Sequence, residues 1–338
     1  MPDRFNVLSL SGGGFLGLYS IAVLEGMEES IDGPIASRFD LLAGTSVGGI
    51  IALGLAAEVP ARDIKKAFER NGVLIFSAKP VRHGPLGALL DFTSSLFKPK
   101  YQSEALRETI IEIVGADTRI GDLRHRVLIP AVNLTRGRPQ MFKTPHHPAL
   151  QTDLKLKVVD VALATSAAPT YFPIAEIADA LYVDGGLFAN SPDLFAIHEA
   201  EHFLGQQREA IYVLSIGTTT AQFSFSHAHG RQFGLFEWSK HRLVNVLISS
   251  QQQIVDSVVG QQLGSRYLRI DTQQSREQER ELALDVATQD AQRTIRGLAA
   301  GSLQAHVNDA RLPGFLSHVV SEPRFFYKIS EAGTVVGQ

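Results

Sequence analysis

Two short stretches hold residues whose types and spacing could do chemistry. Gly44-Thr45-Ser46-Val47-Gly48 is a GxSxG sequence between a strand-length apolar run, "RFDLLAG" (38–44), and a helix-length one, "VGGIIALGLAA" (47–57). A serine at a sharp strand-to-helix turn sits on strained backbone above the sheet edge, and small neighbours let the turn close and a substrate approach. The following helix points its N-terminus at the serine, which favours developing negative charge. Ser46 is therefore a candidate nucleophile, with Gly44 and Gly48 as the elbow glycines. "YVDGG" (182–186) places Asp184 where a strand exits, before Gly185 and Gly186. A carboxylate near its ordinary pKa of ~4 is a weak base for a hydroxyl. Hydrogen-bond distance and partial desolvation would let it serve. The competing readings are a small-residue turn packed under a sheet for Ser46 and an ordinary Asp-Gly turn for Asp184.

A third stretch, "SLSGGGFLG" (9–17), precedes both. Gly12, Gly14 and Gly17 fit the GxGxxG pattern of dinucleotide loops. Such a site needs an acidic residue at the end of the second strand. Asp32 precedes that strand, which ends in Gly44-Thr45-Ser46 instead, so the dinucleotide reading fails where it should be confirmed. Acyl chemistry at a serine needs backbone N–H donors for an oxyanion, each worth about 3 kcal/mol in barrier. Gly12, Gly13 and Gly14 supply them without side-chain obstruction. An ordinary hydrolase triad would add a histidine. His198, His202, His227, His229, His241, His306 and His318 follow Asp184, none in a glycine-marked turn at a strand end. A Ser-His-Asp esterase and a non-catalytic nucleotide-binding module stand as the alternatives.

These segments must be held by a sheet. Apolar runs at 5–10, 38–44, 126–134, 140–144, 180–186, 210–218 and 266–271 read as strands. Helical stretches at 18–30, 47–57, 61–70, 103–115, 158–168, 190–204, 242–263 and 286–307 alternate with them. Alternation from start to finish implies a mainly parallel sheet covered on both faces. The run 18–30 is expected to split into apolar and polar faces, and Ser191 is expected to cap the 190–204 helix with Pro192 in its first turn. Residues 77–102, punctuated by prolines and glycines, read as a cap insertion containing the apolar "LGALLDFTSSLF" (86–97). No clear boundary divides the chain, so a single domain over 1–338 is expected, with a motif-bearing core at about 5–220 and a helical part at about 236–338.

Composition narrows the function classes. With 32 basic and 35 acidic residues, the net charge of −3 points to no nucleic-acid polymer as partner. There is no cysteine, hence no disulfide framework, Cys-based zinc site or thiol nucleophile. The uncharged runs Phe5–Leu24 and Leu41–Ala57 are broken by serines and glycines, so neither reads as a leader or a membrane span. A cytoplasmic chain without metal or cofactor is expected. His146-His147 lacks a regularly spaced third ligand and reads as loop; the basic residues Arg119, Arg124, Arg126, Arg136, Arg138 and Lys143 read as solvated loop charges, with contact to a phosphate-bearing ligand as the alternative. Trp238 reads as a packed aromatic.

Taken together and in order, "SGGGFLG" (11–17), "GTSVGG" (44–49), "ATSAAPTYFP" (164–173) and "DGGLFANSP" (184–192) resemble the patatin-like phospholipases over roughly residues 5–220. The resemblance implies a three-layer α/β/α patatin-like fold and metal-free lipid acyl hydrolysis on a Ser–Asp dyad. Ser46 would be the nucleophile and Asp184 its base, with Gly12, Gly13 and Gly14 lining the oxyanion hole and Gly17, Gly185 and Gly186 completing the motifs. It also implies a phospholipid substrate at a membrane surface, with peripheral association when active. Bacterial relatives of this length resemble effectors of cyclic-oligonucleotide antiphage signalling, which adds a cyclic-nucleotide activator and a homo-oligomer to the expectations. One departure stands out. The family loop carries a basic residue where this chain has Leu16.

Overall fold

The computed structural model describes residues 3–76, 99–219, 238, 242–330 and 334–337. Most of the expected cap at 77–102 lies outside these residues, as do His227, His229 and His241. Trp238 is half-buried. The centre is a sheet of β1 (Phe5–Leu10), β2 (Leu41–Gly44), β3 (Val127–Asn133), β4 (Arg138–Lys143), β5 (Ala175–Ile177), β6 (Ala180–Asp184), β7 (Ile211–Ile216) and β8 (Tyr267–Ile270). Its order is β5-β6-β3-β2-β1-β7-β8, with β4 also on β3. A separate hairpin joins β9 (Tyr327–Ile329) to β10 (Val335–Gly337).

Successive strand residues point to opposite faces, and here they enter two separate cores. Leu8, Leu10, Leu42, Leu214 and Ile216 join one. Phe5, Val7, Leu41, Ile211 and Val213 join the other. On the first face lie α1 (Gly17–Glu28), α2 (Val47–Ala56), α3 (Ala61–Ile75), α4 (Glu104–Val114) and α5 (Val158–Ser166). A short α6 (Gly186–Ala189) follows β6. On the second face lie α7 (Asp193–His202) and α8 (Arg242–Leu263). The chain then forms α9 (Gln278–Glu281), α10 (Gln289–His306) and α11 (Leu312–Leu316). Helices on both faces of the sheet make the expected three layers.

The helix boundaries follow local chemistry. In α3, Ala61, Ile64, Ala67, Phe68, Gly72 and Ile75 are buried, the spacing of one helical face. Gly115 ends α4 at φ 83°, a conformation that favours glycine. Thr288 caps α10, its hydroxyl accepting the Ala291 N–H at 3.2 Å. Two expectations are corrected. Helix α1 shows no clean polar face, because α3 and α10 pack on the sides that the sheet does not cover. The 190–204 helix begins at Asp193 with Pro192 as its cap, and Ser191 is no cap at all. Its hydroxyl lies 2.9 Å from that of Ser11 and is engaged with the glycine loop.

One departure from a parallel sheet positions the site. β3 pairs in parallel with β1's neighbour β2 through Leu42–Val127 and Ala43–Leu128. It pairs antiparallel with β6 through Ala131–Asp184 to Asn133–Tyr182. β4 fills the other edge of β3 along both stretches. Hence β2 and β6 share one edge of β3 and run toward each other. The residues following β2 and the last residue of β6 must meet.

The turn after β2 leaves no room for a side chain at Gly48. A Cβ there would stand 2.4 Å from the Leu10 carbonyl oxygen and 2.7 Å from that of Ser11, both fixed backbone. Gly48→Ala is expected to destabilise the protein by about 2 kcal/mol or more. Urea unfolding measures this, and an unchanged midpoint would contradict the packing described.

Candidate active site

Ser46 occupies the turn between β2 and α2 with φ 56° and ψ −125°. A non-glycine residue in that region stores about 1–3 kcal/mol of strain. Several bonds hold it there. The Ser46 N–H donates to the Thr165 hydroxyl at 3.0 Å, and that hydroxyl donates to the Pro130 carbonyl at 2.6 Å. The Ser46 carbonyl accepts the Ile50 N–H at 3.0 Å, starting α2. The neighbouring Thr45 hydroxyl donates to the Ala189 carbonyl at 2.6 Å. Gly44 admits the turn because a Cβ there would lie 2.2 Å from the Gly48 carbonyl oxygen.

Asp184 arrives from the opposite direction at the end of β6 and is buried. Its Oδ1 accepts the Gly186 N–H at 2.7 Å, and its carboxylate lines the same pocket as Ser46, near enough for the hydroxyl to favour its charged form. Burial pushes its pKa up to about 6; the Gly186 N–H and the Ser46 hydroxyl pull the other way and do not cancel it. The two groups form a Ser–Asp pair in which the carboxyl is a better proton acceptor than a solvated aspartate. Gly185 allows the turn beneath it, since a Cβ would lie 2.3 Å from the Pro130 carbonyl oxygen.

The glycine loop crosses the other side of Ser46. The expectation of three equivalent donors needs correction. Gly12 donates its N–H to the Asn190 carbonyl at 2.9 Å, and the Asn190 side-chain amide returns a bond to the Gly12 carbonyl at 3.2 Å. That reciprocal clamp occupies the Gly12 N–H. Gly13 and Gly14 line the same pocket as Ser46 and Asp184. Among the described residues, neither of their N–H groups has a hydrogen-bond acceptor. Gly13 lies against the Thr218 hydroxyl, which leaves no space for a Cβ. Gly17 fits α1 against α2, since a Cβ there would lie 2.4 Å from Val47. Leu16 is buried in the main core, so the position is apolar in its surroundings as well as its identity.

The pocket is a narrow cavity of about 120 Å³ with mainly apolar walls, including Ile50, Phe68, Phe172 and Leu247. No described histidine lines it. His146 is buried elsewhere, bonded to Thr144 and Glu199. The basic residues are dispersed: Arg124 pairs with Glu58, Lys143 with Glu199, and Arg126 reaches the Asp40 carbonyl. Sequence reasoning missed Thr165, Asn190 and Thr218. All three act across long sequence separations, and only the placement of Thr165 and Asn190 within matched segments hinted at them.

Two stability effects follow. Ser46→Gly is expected to raise stability by about 1 kcal/mol, relief of strain exceeding the entropy of the added glycine. Thermal unfolding checks this, and Ser46→Ala, which keeps the strain, should show no such gain. For Asp184, the folded state holds its proton up to about pH 6, and the unfolded chain releases it near pH ~4. Its contribution to stability is therefore full below pH ~4 and is lost as pH rises through 6. Asp184→Asn should stabilise the protein by up to roughly 3 kcal/mol at pH ~8 and by little at pH ~4. Equal effects at both pH values would contradict the raised pKa.

Comparison with known proteins gives a consistent result. Residues 8–197 match Patatin, the patatin-like phospholipase family. A Pseudomonas aeruginosa protein named cGAMP-activated phospholipase is 41% identical over 325 residues, covering 96% of this chain and 95% of its own. A Vibrio cholerae protein of the same name is 33% identical over 311 residues, covering 85% of this chain and 87% of its own. An Escherichia coli protein, again so named, is 41% identical over 236 residues, covering 66% and 64%. With a family match over more than half its length and relatives alike from end to end, this chain belongs to the patatin-like phospholipase family.

Proposed function

We propose that the protein is a cyclic-nucleotide-activated phospholipase that cleaves ester bonds of membrane phospholipids through an acyl-serine intermediate. The observation that carries this reading is the juxtaposition of Ser46 and Asp184 inside one apolar pocket. In the first half-reaction Ser46 Oγ attacks the ester carbonyl while its proton passes to Asp184. The carbonyl oxygen becomes an oxyanion held by the N–H groups of Gly13 and Gly14 and favoured by the N-terminus of α2. Collapse breaks the bond to the lysophospholipid oxygen, which takes the proton from Asp184. Water then attacks the acyl-serine, giving its proton to Asp184. The second collapse frees the fatty acid and returns the proton to Ser46.

Several features support a lipid substrate. The pocket walls suit an acyl chain, and two of its residues, Leu187 and Leu247, are 42% and 44% exposed. Such a rim suits contact with a lipid surface. Among the described residues no helix is long and apolar enough to cross a membrane. Activation by a cyclic nucleotide, and with it a role in antiviral defence, is supported by relatives named cGAMP-activated phospholipase.

The test is release of fatty acid from phospholipid vesicles, with and without cGAMP. Wild type should respond to cGAMP, and Ser46→Ala and Asp184→Ala should each lose at least about a hundredfold in rate. Because Asp184 must be ionised to accept a proton, kcat/KM should fall on acidification with a midpoint near pH 6. Full activity of Asp184→Ala, or loss of activity in a histidine variant alone, would contradict the dyad.

A further inference from the structure

A second cavity lies behind the catalytic pocket, and α8 forms a wall of both. Its volume is about 390 Å³, within the range of small-molecule sites (~300–1,000 Å³). Its lining is polar throughout. Ser249, Gln252, Gln253 and Asp256 come from α8, and Arg269 and Asp271 from β8 and its end. Val244, Leu247 and Ile248, on the adjoining face of α8, line the catalytic pocket. Between the two faces, Gln251 donates to the carbonyls of Gly186 (3.4 Å) and Leu187 (3.1 Å), in the turn that carries Asp184.

The far wall is tied to the glycine loop. Arg269 donates to the hydroxyls of Ser11 (3.1 Å) and Ser215 (2.8 Å) and to Asp271 (2.8 Å). Ser11 directly precedes Gly12. Asp271 accepts the Thr219 N–H at 3.0 Å, and the adjacent Thr218 hydroxyl donates to the Gly12 carbonyl at 3.2 Å. The cavity thus contacts both halves of the catalytic machinery through short hydrogen-bonded links.

The cavity also holds an unmet bond. Among the described residues, the buried side-chain amide nitrogen of Gln252 has no acceptor. Leaving such a donor unpaired is unfavourable, and an incoming acceptor removes the penalty. Amide side chains match the paired donor and acceptor of adenine, a carboxylate accepts the ring and amino N–H groups of guanine, and a guanidinium meets phosphate or the guanine O6/N7 edge. Gln252, Asp256 and Arg269 provide one of each.

We propose that this cavity binds the activating cyclic nucleotide, a purine base edge on Gln252 and Asp256 and phosphate toward Arg269, and that α8 carries the signal to the Asp184 turn. The inference rests on the reading of the protein as cyclic-nucleotide-activated. Binding repositions α8, whose Gln251 holds the turn after Asp184 and whose apolar face shapes the pocket.

The test is calorimetric titration of the full chain with cGAMP, with the vesicle assay run on the same samples. Gln252→Leu, Asp256→Ala and the occluding Gln253→Trp should each weaken cGAMP binding at least tenfold and shift the activation curve by the same factor. Gln253 is exposed, so its variant decides the matter if the others fail to fold. Gln251→Leu should bind cGAMP as wild type does and respond to it less. Wild-type affinity in Gln253→Trp and in every folded variant of the other two would overturn the site while leaving cyclic-nucleotide activation standing. Normal activation of Gln251→Leu would overturn the route through α8. A wild-type chain that neither binds nor responds to cGAMP would overturn the activation reading, and this inference with it.

Discussion

The structure turns on one pairing, of the Ser46 hydroxyl with the buried Asp184 carboxylate, whose charged form the hydroxyl favours. The two residues meet because β2 and β6 approach each other along a single edge of β3. Neither strand could place its residue alone. β2 delivers a serine on backbone that only a tightly held turn tolerates. β6 delivers a carboxylate into surroundings dry enough to hold its pKa near 6. Desolvation that would be a plain cost elsewhere here brings the acceptor closer to the serine in proton affinity.

The rest of the site is arranged around keeping that pair fixed. Thr165 and Thr45 tie the elbow to β3 and α6. Asn190 clamps Gly12 from both sides, which leaves Gly13 and Gly14 as the donors beside Ser46 that have no acceptor among the described residues. Arg269 brings a positive charge to the glycine loop through Ser11, whereas Leu16 packs into the core. The position where the family resemblance led one to expect a basic residue is thus part of the apolar interior here.

Much of this was legible in the sequence, for identifiable reasons. The turns that carry Ser46 and Asp184 were legible because glycines mark both, and close backbone approach permits nothing larger at Gly44, Gly48 and Gly185. The alternation of strand and helix gave the three layers. The direction of β6 was not legible, because a five-residue apolar run reads the same parallel or antiparallel. Ser191 was misread as a cap because a hydroxyl before Pro-Asp fits that role locally, while its partner Ser11 is distant in the chain. Gly12 looked like a donor until Asn190, from the other side of the site, was seen to occupy it. Long-range polar partners leave no periodic trace, and they account for most of what was missed.

The central claim, that buried Asp184 activates Ser46, is tested most directly by the pH dependence of Ser46 modification with a fluorophosphonate, cGAMP present, in wild type and Asp184→Asn. This reads the nucleophile without lipid turnover. The wild-type rate should rise with pH through a midpoint near 6. Asp184→Asn should lose that inflection and react at least about a hundredfold more slowly. Equal rates in the two proteins would contradict the account.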